Sequence, residues 1–375
     1  MSRITAHLVT WNGMRYIPHL FASLREQTFR NWELRVLDNG SSDGTVAAVE
    51  RELASFPFPV RLEQNAENVG FAAGHNMLIA TAAAPFVQLL NQDVVLAPDY
   101  FERVLAVMEA QPRVGAAQGA LLRWDFAAFA DGHGDGRTDI IDTLGLRVLR
   151  NRRVVEWMTG TEMSNVPPTA DPPQADKCRP APTAASGMSN VPIEVFGVSG
   201  ALPMYNRVAL LEVALPRLGV RGERMEKKLE FFDEDFFSYK EDVDLAFRLR
   251  FAGWSAILVP VARAWHDRTA AGPHELSDSA ALDNRRIRSP LVRYHSYKNQ
   301  IFVLIKNEQV GNFLLDWPWI LWYELKKFLY LLIREPRTLR SLKDVWRLLP
   351  RMLAKRRLIM SQRKIKSAEL RRWFR

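Results

Sequence analysis

Ile4-Thr5-Ala6-His7-Leu8-Val9-Thr10 is an apolar, strand-like run that ends in Trp11-Asn12-Gly13, and the stretch after it sets Ile17, Leu20, Phe21 and Leu24 on one helical face. The unit then repeats. Trp32 to Leu37 runs into Asp38-Asn39-Gly40, Val60 to Leu62 leads to a loop around Asn68 to Gly74, and Phe86 to Leu90 ends at Asn91-Gln92-Asp93. Short apolar strands alternating with helical stretches predict an α/β fold on a mostly parallel sheet flanked by helices. Polar residues follow the carboxyl end of each strand, which is where open α/β sheets hold their ligands.

Beyond a helix expected over Asp99 to Ala110, regularity fades between Trp124 and Val195, and Met163 to Pro192 reads as a long loop rich in proline. Regular structure is expected again over Phe196 to Met204, in helices near Asn206 to Val213 and over Glu241 to Phe251, and in a strand over Ser255 to Val259. From Asn312 onward Trp317, Trp319, Trp322, Tyr323 and several leucines are interrupted by Asp316, Glu324, Lys326 and Lys327. That is too much charge for a membrane-spanning helix and predicts an amphipathic, interfacial one.

With 375 residues, 47% hydrophobic and 25% charged, the chain can bury a sizeable core. Its one cysteine, Cys178, excludes an internal disulfide framework, and the first ten residues lack the basic flank and apolar core of a signal peptide, so a cytosolic protein is expected. The net charge of +9 is uneven: Leu321 to Arg375 holds 17 Lys and Arg against 4 Asp and Glu, while the rest holds 34 against 38. A basic tail on a mildly acidic body predicts a charge-driven partner at the end of the chain.

Four segments carry chemistry. In Asp38-Asn39-Gly40-Ser41-Ser42-Asp43-Gly44-Thr45, a carboxylate just past a strand can accept hydrogen bonds from a ribose or a base edge, or the segment is simply a capped loop. Asn68-Val69-Gly70-Phe71-Ala72-Ala73-Gly74-His75-Asn76 lets backbone approach a ligand closely but lacks the spacing of a dinucleotide fingerprint or a P-loop. Asp93 can join diphosphate oxygens around Mg²⁺ or Mn²⁺. The acids of Asp233-Glu234-Asp235 and Glu241-Asp242-Val243-Asp244 exceed what helix capping explains, and a general base is the sharper account.

Taken together, Val9-Thr10-Trp11-Asn12, the Asp38 segment, Asn68-Val69-Gly70-Phe71, Leu90-Asn91-Gln92-Asp93, Gly200-Ala201, and Glu241-Asp242-Val243-Asp244-Leu245 with Arg248 and Gly253-Trp254 resemble the family-2 inverting glycosyltransferases of GT-A fold, in the bacterial branch that includes rhamnosyltransferases. The resemblance implies that Thr10, Trp11, Asn12, Asp38, Asn68, Gly70, Asn91 and Asp93 bind the nucleotide-sugar donor. It implies Asp242 as catalytic base with Glu241 beside it, and Gly200, Ala201, Asp233 and Glu234 on the acceptor side. Asp93 resembles the last residue of an Asp-x-Asp metal motif whose first acid is here Asn91, and with His266 it would hold Mg²⁺ or Mn²⁺.

The implied organisation is a catalytic domain over 1–300, with a nucleotide-sugar part (1–120), an irregular insertion (121–195) and an acceptor and catalytic part (196–300). A basic, amphipathic helical extension over 301–375 would associate with an anionic membrane surface. The implied activity moves a sugar, with rhamnose a candidate, from a nucleotide diphosphate to a lipid-linked or polysaccharide acceptor in bacterial cell-surface glycan synthesis, on the inner face of the cell membrane. Two other readings stay open: a nucleic-acid-binding protein that grips phosphates with the basic tail, and an inactive relative that only binds sugar nucleotides.

Overall fold

A computed structural model describes residues 1–166, 190–219, 221, 224–267, 285–286 and 288–375. The first four strands, β1 (Ile4–Thr10), β2 (Trp32–Asp38), β3 (Val60–Gln64) and β4 (Phe86–Leu90), pair in parallel in the order β3-β2-β1-β4. β1 and β4 are buried almost throughout because helices cover both faces of the sheet at its centre. On one face α1 (Ile17–Arg25), α2 (Thr45–Leu53) and, beyond β5 (Val94–Leu96), α4 (Tyr100–Ala110) pack around Leu8, Val36 and Leu90. On the other, α3 (Gly70–Thr81) packs with Val87 and Leu89.

The second half of the sheet is mixed. β6 (Val114–Trp124), β7 (Arg137–Thr143), β10 (Ile193–Val195), β11 (Met204–Asn206) and β14 (Ser255–His266) complete the order β10-β14-β6-β11-β4-β1-β2-β3, with β5 on β14 and β7 on β6. β11 runs antiparallel to both β4 and β6. α5 (Phe126–Ala130), the pair β8 (Leu146–Val148) and β9 (Val154–Glu156), α6 (Arg207–Val213), the pair β12 (Leu215–Leu218) and β13 (Arg224–Glu230), and α7 (Glu241–Phe251) surround this half.

Two expectations need correction. The strand expected to stop at Val259 continues to His266: Pro260 cannot donate to the ladder, the register with β6 breaks between Val259 and Arg263, and the strand then resumes. This irregularity carries His266 to a position opposite Val94. The regular element expected over Phe196 to Met204 is irregular up to β11, because it is pressed against α7; a Cβ on Gly197 would lie 2.5 Å from the Cβ of Ala246. The proline-rich loop expected over 163–192, including Cys178, lies largely outside the described residues.

The C-terminal helices are α8 (Pro290–Asn307), α9 (Val310–Arg334), α10 (Ser341–Ser361) and α11 (Ser367–Arg371). A boundary drawn after residue 300 falls inside α8. Phe302, Val345, Leu348, Met352, Ile359 and Trp373 form one core with Val148, Phe247 and Phe251, so this region is packed onto α7. α9 is held by Asp316, whose fully buried carboxylate accepts hydrogen bonds from Arg150, Arg152 and Arg371. Its outward side leaves Trp317, Trp322, Leu325, Leu329, Leu332 and Ile333 exposed. Among the described residues no helix is long and apolar enough to cross a membrane.

Candidate active site

The strand ends β1, β2 and β4 meet along one edge. Thr10 is buried and its hydroxyl donates to Gln92 Oε1 at 2.7 Å, which also accepts the Trp11 backbone N–H at 2.9 Å; the Trp11 ring stays half exposed. Asn12, in a left-handed conformation, exchanges hydrogen bonds with the next loop: its N–H donates to Ser41 Oγ and its Oδ1 accepts from the Ser42 N–H, both at 2.9 Å. Asp38 is buried with one oxygen on the Ser41 N–H at 2.9 Å, while its Oδ1 has no hydrogen-bond partner among the described residues. A buried, half-satisfied carboxylate at the end of a strand is what a ligand hydroxyl would complete. Asn68 caps the turn into α3 by accepting from the Gly70 N–H at 2.8 Å and from Asn39 Nδ2 at 3.0 Å.

At the end of β14, Asp93 and His266 come together. His266 Nε2 lies 3.3 Å from Asp93 Oδ1, and its Nδ1 lies 2.9 Å from Asp142 Oδ2. Burial alone would lower the imidazole pKa, but the two carboxylates outweigh it and hold the ring up at about 10. Among the described residues, no group of three or more His, Cys, Asp and Glu side chains can hold a metal by itself. The donor set still fits a divalent cation that draws its remaining oxygens from a substrate diphosphate: one carboxylate, one imidazole, and a second carboxylate on the far ring nitrogen to fix its orientation. A cation on Nε2 would take the place of that proton.

Hydrogen bonds link this corner to α7. The Asn91 N–H donates to the Ala201 carbonyl at 3.0 Å, and the neighbouring Gly200 N–H donates to Asp242 Oδ2 at 2.9 Å. Asp242 Oδ1 accepts its own following N–H, of Val243, at 2.7 Å, so the half-buried carboxylate is fixed at the first turn of α7. Phe237, Tyr239 and Lys240, just before it, have φ of 64°, 72° and 69°, a cluster of left-handed side-chain-bearing residues. Three groups hold that loop. Asn299 Nδ2 on α8 donates to the carbonyls of Phe236, Ser238 and Tyr239 at 3.0, 2.9 and 2.6 Å. Lys298 donates to the Asp235 carbonyl at 2.6 Å, and the Ala72 N–H donates to Phe237 O at 3.2 Å. Gly70, at φ +88°, must be glycine, since a Cβ there would meet Phe237 O at 2.6 Å.

The other acids lie elsewhere than expected. Asp233, expected on the acceptor side, is fully buried between Lys306 at 2.5 Å and Lys355 at 2.5 Å. Burial would raise its pKa, but the two ammonium groups hold it well below the carboxylate range. Glu234, expected beside it, accepts from Asn76 Nδ2 at 3.2 Å and lies 3.6 Å from Arg217. Asp244 pairs with Lys306 at 2.7 Å and Arg248 at 2.9 Å. Lys355 also reaches Glu230 at 2.8 Å and Asp235 at 3.0 Å. Part of the basic tail therefore neutralises the acidic body from within. Glu241 is buried too, and burial together with the neighbouring Asp242 raises its carboxyl to about 8, so at neutral pH it carries a proton.

Residues 5–126, which include every strand end described above through Asp93, match the family description Glycosyl transferase family 2. That region carries a glycosyl transferase family 2 domain. The N-acetylglucosaminyl-diphospho-decaprenol L-rhamnosyltransferase of Mycobacterium tuberculosis is 27% identical over 304 residues, covering 77% of this chain and 83% of that protein. An uncharacterized glycosyltransferase of Haemophilus influenzae is 31% identical over 105 residues, covering 28% of this chain and 34% of its own. The crystal structure of GalNAc-T7 with UDP, GalNAc and Mn²⁺ superimposes with a TM-score of 0.52 at 12% identity, covering 81% of this chain and 48% of that one. The chain thus spans about half the length of that structure, and the likeness establishes the GT-A fold of the glycosyltransferase. Sequence reasoning about this glycosyltransferase missed Gln92, Asn39, Asp142 and Asn299. All four act through long-range hydrogen bonds that leave no local signature.

Proposed function

We propose that the protein transfers a sugar, with inversion at the anomeric carbon, from a nucleotide diphosphate donor to a hydroxyl of a lipid-linked acceptor at the cytoplasmic membrane surface. The observation that carries this reading is the Asp242 carboxylate, held by the Gly200 N–H at 2.9 Å and joined through Ala201 and Asn91 to the Asp93 and His266 corner. Asp38, Asn12 and Thr10 bind the nucleotide end, and the unpaired Asp38 Oδ1 accepts a ribose hydroxyl. Asp93 and His266 would hold Mg²⁺ or Mn²⁺, which when bound would supply positive charge beside the leaving diphosphate. Asp242 takes the proton of the acceptor hydroxyl as the oxygen bonds to the anomeric carbon and the bond to the diphosphate breaks. Glu241, neutral behind it, leaves the pair with a single negative charge at pH 7. The named activity of the Mycobacterium tuberculosis relative supports a nucleotide-linked rhamnose as donor and a diphosphate-linked lipid as acceptor. The exposed apolar side of α9 supports contact with a membrane.

Thermal melting against a panel of nucleotide sugars, with Mn²⁺ or with chelator, tests the donor half. Parent protein is stabilised by deoxythymidine diphosphate rhamnose more strongly in Mn²⁺ than in chelator, and Asp93→Ala loses that difference. Equal stabilisation of the parent with and without metal overturns the Asp93 and His266 assignment. No stabilisation by any nucleotide sugar overturns the function.

A further inference from the structure

α9 is amphipathic the wrong way round for a helix facing water. Only Asn312, Asp316, Ile320 and Leu331 of its 25 residues are buried. The side it turns to the body is largely polar. Asn312 Nδ2 donates to Gln309 Oε1 and to the Ser367 carbonyl, both at 3.0 Å, Asp316 takes its three arginines, and Lys327 lies 3.9 Å from Glu324 and 4.9 Å above the Tyr297 ring. The side it turns outward is apolar for about 27 Å, from Leu315, 57% exposed, to Ile333, 75% exposed, with Trp317, Trp322, Leu325 and Leu329 between them. A surface helix ordinarily turns its apolar stripe to the core and its polar residues to water. With the two sides exchanged, the outer side of α9 needs an apolar partner.

The charges at its two ends select that partner. At the start, Arg150 of the turn between β8 and β9 lies 3.5 Å over the exposed ring of Trp319, and Arg371, on Asp316, leads into the exposed Arg372. At the other end Arg334, Arg337 and Arg340 are exposed through the turn into α10. A second copy packed on this face would set arginines against arginines whether the two helices ran parallel or antiparallel. Anionic headgroups meet the same arginines with opposite charge while acyl chains cover the apolar stripe. We propose that α9 docks lengthwise, in the plane of the interface, on an anionic phospholipid surface, with its apolar side in the acyl boundary and the arginines of both ends on headgroup phosphates. This docking rests on the lipid-linked acceptor read above and adds to it the pose and the lipid charge. Because Asp316 ties α9 to Arg150 and Arg152 of the body and to Arg371 of α11, the docked helix carries the body with it.

The test is flotation of the full chain with lipid vesicles, with no nucleotide sugar present. The parent binds phosphatidylglycerol vesicles about tenfold or more tighter than phosphatidylcholine vesicles, and high salt narrows that difference. Leu315→Glu and Ile333→Glu, near the two ends of the stripe, each weaken phosphatidylglycerol binding about tenfold or more, because each places a charge in the acyl boundary. Arg337→Glu combined with Arg340→Glu weakens it by about as much and leaves phosphatidylcholine binding as in the parent. Arg61→Glu, at an exposed position on β3, matches the parent on both lipids. All of these positions are exposed, and melting curves check that the variants fold as the parent does. Undiminished binding in both apolar variants overturns the face, loss in only one of them overturns the lengthwise pose, and equal binding of the parent to the two lipids overturns the anionic partner. A parent that ignores vesicles but forms a dimer that Leu315→Glu or Ile333→Glu dissociates overturns lipid as the occupant in favour of a second copy. The donor melting assay contains no lipid, so failure here and failure of the enzyme reading are told apart.

Discussion

Glu241 shows how one buried carboxyl serves a neighbour. Burial, with the neighbouring Asp242 charge second, lifts its titration from near 4.5 to about 8. Between those values the folded chain keeps a proton that the unfolded chain releases, so this group's contribution to stability is complete below about pH 4.5 and is lost as pH rises through about 8. Glu241→Gln abolishes the titration. The variant is predicted to exceed the parent in stability at pH 9, with the two closest at low pH, as urea midpoints at pH 5, 7 and 9 would show; a parallel offset at all three values contradicts it. That Glu241 and Asp242 open a helix was legible in the sequence, because a Glu-Asp pair at the start of a helix pattern stands out. That Glu241 is the buried member depends on how α7 packs, with Phe247 and Leu249 turned into the core, and no local spacing states that.

On the proposed mechanism the reaction depends on the loop from Phe236 to Lys240, because three residues at positive φ set the angle at which α7 begins. Each costs about 1–2 kcal/mol, so the loop keeps this shape only while Asn299, Lys298 and Ala72 hold it. Asn299→Asp has the same shape but cannot donate to the three carbonyls. It is predicted to lose about 1–3 kcal/mol of stability and, below its melting temperature, to lower kcat while leaving the donor KM within about twofold. A donor KM that rises together with an unchanged kcat would contradict a role on the Asp242 side. The elements themselves were readable, since β1, β4, α6 and α7 stand close to where apolar periodicity sets them. The strand through Pro260 was not, because the rule that proline ends a ladder holds locally while the bulge that circumvents it is fixed by pairing with β6.

Across the whole molecule part of the charge asymmetry of the sequence is internal, while Arg334, Arg337, Arg340, Lys343, Arg347 and Arg357 of the basic tail stay exposed. Lys355 on α10 and Lys306 on α8 lie fully buried among Glu230, Asp233, Asp235 and Asp244. A basic tail reads as a surface when only composition is known, since neither the partner of a lysine nor its depth is written in its neighbours. The consequence is sharp for removal of the tail. Lys355→Met leaves buried carboxylates without their counter-charge and is predicted to cost about 3–5 kcal/mol, and deletion of 341–375, which also strips Met352 and Ile359 from the core they share with Phe247 and Phe251, yields insoluble protein. Circular dichroism melting of the point variant and recovery of the truncated chain check both; a soluble, fully cooperative truncation would show that the C-terminal helices are a separable module. What faces an outside partner includes the exposed apolar side of α9 and the exposed basic residues Arg334, Arg337 and Arg340 at its end and just beyond.

The most direct test of the account is the turnover of Asp242→Asn against the parent, with saturating nucleotide sugar, Mn²⁺ and a prenyl-diphosphate-linked sugar as acceptor. The amide keeps the hydrogen bond from the Gly200 N–H through its carbonyl but cannot take the acceptor's proton. The account predicts that the parent forms a product of inverted anomeric configuration and that the variant binds donor as the parent does while turning over about 10² to 10⁴ times more slowly. A variant that keeps more than about a tenth of parental turnover, or a product of retained configuration, would contradict it.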